Sequence, residues 1–84
     1  MCDAVVFGEY LIGDEIKLPV KFSEIVSAVL FKGHAVNEGG SATYEIRAHN
    51  IVLEKVDDET VMTTVHIAKE DFLVIKLIKR GAYV

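Results

Sequence analysis

The sequence predicts a small, mostly β domain of five or six antiparallel strands, a closed or half-closed small barrel or an α+β roll with room for one short helix. Three observations carry this. The apolar residues are dominated by 12 Val and 8 Ile, against 6 Leu, 7 Ala and 2 Met, and β-branched side chains suit a pleated surface better than a helix. Several short runs alternate apolar and polar residues, and turn-forming residues separate them at close intervals. The 84 residues leave room for one core and one domain, residues 1–84.

The elements follow in order. Residues 4–12 read as a strand, with Val5, Phe7 and Glu9 on one face and Val6 and Tyr10 on the other. Gly13-Asp14 supplies a turn. Residues 15–20 form a second strand with Ile16, Leu18 and Val20 in phase, and Pro19 marks it as an edge. Residues 22–32 are ambiguous. Ser23 can cap a helix carrying Ile25, Ala28, Val29 and Phe31 at helical spacing, with Gly33 after its end; the same letters also read as a strand with Phe22, Val26, Ala28 and Leu30 inward. The helix is the favoured reading.

Asn37-Glu38-Gly39-Gly40-Ser41 places a loop over residues 34–41. Residues 42–56 resume as a long strand with Tyr44, Ile46 and Ala48 in phase. Ile51 and Leu53 then fall on the opposite parity, which predicts a bulge near Asn50. Asp57-Asp58-Glu59-Thr60 is a turn; Val61, Thr63, Val65 and Ile67 alternate; Glu70-Asp71 turns again; and residues 72–78 are apolar on both faces, as in a central strand. Ile46, Val52, Leu53, Val65, Ile67, Val74 and Ile75 are expected among the most buried positions.

Composition bounds the function. A domain of this size buries about 60 to 65% of the surface its unfolded chain exposes, yet 51% of the residues are hydrophobic and the mean hydropathy is +0.33. The excess predicts burial between subunits, hence a homo-oligomer. A net charge of −4 argues against a nucleic-acid partner, since phosphate neutralisation needs a basic stripe. Lys76, Lys79 and Arg80 form the one basic cluster. No apolar run approaches the ~18 residues that span a bilayer, and Met1-Cys2-Asp3 lacks a basic leader. The chain is therefore expected to be cytoplasmic and free of the membrane.

Candidate chemistry is sparse. Ser23, Ser27 and Ser41 lack a Gly-x-Ser-x-Gly elbow, Gly39-Gly40 lacks the Lys-Ser or Lys-Thr of a phosphate loop, and the acidic groups at 57–59 and 70–71 lack calcium-loop spacing and read as solvated turns. An enzyme is not expected. If Val56 and Val61 close a hairpin, His66 falls diagonal to His49 on one face. Cys2 is the candidate metal ligand: removal of Met1 would set an α-amino group beside its thiol, a chelate for nickel or zinc.

Met1-Cys2-Asp3-Ala4 and the Val-rich strand after it, with the strand-turn-strand rhythm of residues 61–77, resemble the opening of the small nickel-binding accessory proteins of carbon monoxide dehydrogenase maturation. The resemblance implies nickel held by Cys2 at a dimer interface. This chain is longer than such proteins. The function expected from the residues is a protein-interaction module that self-associates; metal binding or delivery through Cys2 is the alternative.

Overall fold

A computed structural model describes residues 1–81. Its seven strands are β1 (Cys2–Phe7), β2 (Glu15–Lys17), β3 (Phe22–Glu38), β4 (Ser41–Ile51), β5 (Leu53–Lys55), β6 (Thr60–Thr63) and β7 (Phe72–Lys79). They form two antiparallel sheets, a larger one in the order β1-β7-β3-β4 and a smaller one in the order β2-β6-β5. The chain is mostly β, as its Val and Ile content requires.

One core lies between the sheets. Ala4 and Val6 of β1, Leu73, Ile75 and Leu77 of β7, and Phe22, Ala28 and Leu30 of β3 form one buried cluster with Ile16, Leu53 and Val61 from the smaller sheet and with Leu18 and Ile67. Period-two alternation puts these residues on one side of each strand. Strand β7 lies between β1 and β3, with Leu73, Ile75 and Leu77 buried on its core side and Phe72 and Val74 half-buried on the other.

The two sheets do not join into a closed barrel: β1 and β4 bound the larger sheet, and β2 and β5 the smaller. The segment 22–32 is strand, not helix. Its register against β7 shifts between Phe22 and Glu24 and again between Ile25 and Ser27. Each shift inserts an extra residue, so the inward positions fall at Phe22, Ile25, Ala28 and Leu30. Two bulges have imitated a helical period.

The loop expected over 34–41 shrinks to Gly39-Gly40, with φ of 56° and 82°, the left-handed conformations of a tight two-residue hairpin turn. On either side β3 and β4 pair without interruption from Ala28↔Ile51 to Glu38↔Ser41. Strand β7 pairs with β3 only as far as Phe31↔Phe72. The remaining rungs of β3 and β4 project as a two-stranded arm, giving the molecule extents of 59 × 24 × 17 Å.

The unbroken ladder also removes the predicted bulge near Asn50. Odd residues of β4 face the core side throughout, and Ile51 is half-buried there. Tyr44, Ile46 and Ala48 sit on even positions because the apolar side of the arm is the outer side of the sheet. At Val52 the chain leaves the larger sheet and enters the smaller one. Ile46 and Val52, expected in the core, are accordingly 62% and 73% exposed, whereas Leu53, Ile67 and Ile75 are buried as expected.

Candidate functional site

The outer face of the larger sheet is built by the side chains that alternate away from the core. Strand β1 contributes Val5 and Phe7, β7 contributes Phe72 and Val74, and β3 contributes Val29 and Phe31; the arm adds Ala35 with Tyr44, Ile46 and Ala48 of β4. Cross-strand register arranges them in rows. Phe7 stands opposite Phe72, and Phe72 opposite Phe31. The Phe7 and Phe72 rings are 5.9 Å apart and tilted; the Phe31 and Phe72 rings are 4.8 Å apart and stacked within 9° of parallel. Ala48, opposite Phe31, carries this row onto β4. Val5, Val74 and Val29 form the next row.

The arm extends the same face. Gly33 pairs with Ile46 and Ala35 with Tyr44, and the Tyr44 ring lies across Gly33 closely enough to occupy the space a Cβ there would need. Glycine lets the ring settle on the backbone, and the ring in turn covers the bare strand. Phe7 is 70% exposed and Tyr44 63%. Asp3 and Lys76, directly across from one another at one end, bring charges of opposite sign to the rim.

The opposite side of the arm is polar. There Lys32 pairs with Arg47, His34 with Glu45, and Val36 with Thr43, whose hydroxyl donates to the Val36 carbonyl at 3.3 Å. Arg47 lies 3.3 Å from Glu45 along its own strand. The arm is thus amphipathic, with its apolar side continuous with the outer face of the sheet.

The remaining sequence candidates are dispersed. Cys2 is half-buried on the core side of β1, opposite Leu77. His49 stands opposite Leu30. His66 does not join it, because β6 ends at Thr63 and pairs with β5 in the register Lys55↔Val61; His66 instead lies 3.5 Å from Glu9. Among the described residues there is no group of three or more His, Cys, Asp or Glu side chains gathered to hold a metal, and no pocket.

The acidic turns have local work. The Asp57 carboxylate accepts the Glu59 N–H at 2.9 Å, and that bond, helped by the Thr60 hydroxyl, holds its carboxyl below the usual carboxylate range. Asp58 pairs with Arg80, and Glu59 lies 3.7 Å from Lys17. Asp71 departs from the solvated-turn reading: it is buried, accepting from the Ala68 N–H at 3.2 Å and from Lys32 at 3.3 Å.

Comparison of the chain with protein-family models, with curated proteins and with solved structures returned no match.

Sequence reasoning missed the outer face because it assigned Ile46 to the core. A signal was present: the apolar residues of 42–56 change parity, and an unbroken strand can do that only by presenting an apolar surface on both sides in turn.

Proposed function

We propose that this protein is an interaction module that self-associates through the outer face of its larger sheet. The observation that carries the reading is the continuous apolar surface from Val5 and Phe7 across Phe72 and Phe31 to Ile46 and Tyr44. Contiguous exposed apolar surface on this scale marks a contact.

The occupant that fits is a second copy. Given ~4.8 Å between strands and ~3.4 Å per residue, the face covers roughly 600 Å² of sheet before side-chain relief is added. That approaches the ~800 Å² per partner of a stable interface. Asp3 and Lys76 oppose one another, so the face is neutral in sum and has no charge pattern that asks for a charged partner. Two such faces packed together form a sandwich of the kind sheets adopt at about 10 Å separation.

The test is sedimentation equilibrium of the untagged protein beside Phe7→Asp. Phe7 belongs to the outer face and is mostly exposed, so the substitution leaves the core intact. A multimeric parent with a smaller variant supports the reading. A parent that stays monomeric at tens of micromolar would sink it.

A further inference from the structure

The outer face is one contact; the free edge of β4 is another. Strand β4 ends the larger sheet, its register with β3 is unbroken over all eleven residues, and it contains neither Pro nor Gly. Edges left this long and regular are ready to take a further strand. We propose that two copies of the chain join β4 to β4, antiparallel, about a two-fold axis through Ile46.

The hairpin turn restricts the choice. With a two-residue loop, the flanking pair Glu38↔Ser41 exchanges both of its backbone hydrogen bonds, so odd residues of β4 bond to β3 and even residues point N–H and C=O outward. Two copies must therefore match even positions with even. A long ladder needs the axis near the middle of the strand, at residue 45, 46 or 47.

Charge selects among these. An axis at Glu45 sets that carboxylate against its own copy, and an axis at Arg47 does the same for the guanidinium. With the axis at Ile46, each Glu45 stands opposite the Arg47 of the second copy, twice per dimer. These fall in the pairs that exchange no backbone bonds, where cross-strand side chains approach most closely. In the single chain Arg47 only leans back toward Glu45 at 3.3 Å, with both groups largely exposed. The same register sets Ile46 against Ile46 and Tyr44 against Ala48 on the outer face. It also carries the Gly39-Gly40 turn of the second copy to the level of Val52, which is exposed.

The axis of this contact is normal to the sheet, and that of a face-to-face contact lies in its plane. Perpendicular two-folds close a tetramer. The two contacts therefore separate by mutation: Phe7 lies on the outer face at the far edge of the sheet from β4, and Glu45 lies on the polar side of the arm.

The experiment is analytical ultracentrifugation in the Phe7→Asp background. That variant is expected as a dimer held by β4. Adding Glu45→Arg should weaken the dimer by about tenfold or more, because two attractive oppositions become repulsive. Adding Arg47→Glu as well reverses both signs and should restore it, which separates the effect from misfolding. A Phe7→Asp protein that is monomeric beside a multimeric parent removes the edge contact and leaves the face. A dimer that ignores Glu45→Arg, or that the double reversal fails to rescue, also overturns the β4 pairing. If parent and Phe7→Asp are dimers alike and Glu45→Arg dissociates them, the edge contact stands and the face-to-face reading falls.

Discussion

The Lys32 ammonium lies 3.3 Å from the Asp71 carboxylate at the point where β3 parts from β7. Phe31↔Phe72 is the last rung between those strands, so this pair fastens the root of the arm to the body. Asp71 also accepts the Ala68 N–H, which closes the turn before β7.

Replacing Asp71 with Ala removes the acceptor for both groups. The expected cost is about 2 to 3 kcal/mol, set mainly by the stranded Ala68 N–H and the loss of a buried charge-assisted bond. Lys32→Ala should cost less, about 1 kcal/mol, because Lys32 is partly exposed and its loss leaves Asp71 its backbone donor. Urea unfolding of both single variants and the double variant checks this, and the double should cost less than the sum.

The core and the outer face respond differently to truncation. Ile75→Ala should cost about 2 to 4 kcal/mol, since Ile75 is fully buried between the sheets and the cavity cannot collapse freely. Val52→Ala should stay within about 0.5 kcal/mol. Equal shifts in denaturation midpoint would contradict the two-sheet arrangement.

Gly33 and Tyr44 should behave as a coupled pair. Gly33→Ala alone forces the ring off the strand and should destabilise the arm by about 1 kcal/mol. In a Tyr44→Ala background the same change should be neutral or stabilising by up to about 1 kcal/mol, because Ala suits a strand interior better than Gly. A thermal-melting double-mutant cycle reads the difference.

The Asp57 carboxyl is held low by the Glu59 N–H. A group whose folded value is depressed stabilises the fold above its unfolded value of about 3.9, and the contribution fades as pH falls through the folded value. Asp57→Ala should therefore melt below the parent at pH 7. That gap should narrow as pH drops below about 4, and melting curves across pH 2 to 7 would show it.

The sequence by itself determined the β class, the central β7, the edge position of β2 and the turn at 57–60, because side-chain alternation, β-branching, Pro19 and the acidic turn residues act locally. It also carried the apolar excess that a chain of this size cannot bury. What it left open depended on pairing between distant segments. Two bulges in β3 are defined only against β7, and without that partner their spacing reads as a helix. Ile46 is as apolar as Ile75, yet only the tertiary structure places one outside and the other in the core. The reason is geometric: in an unbroken strand, parity decides the face, but only the position of the second sheet decides which face is the interior. The smaller sheet lies on the side of β3 that carries Ala28 and Leu30, so the alternation that turns Ile51 toward the core leaves Tyr44 and Ile46 on the opposite, exposed side of β4.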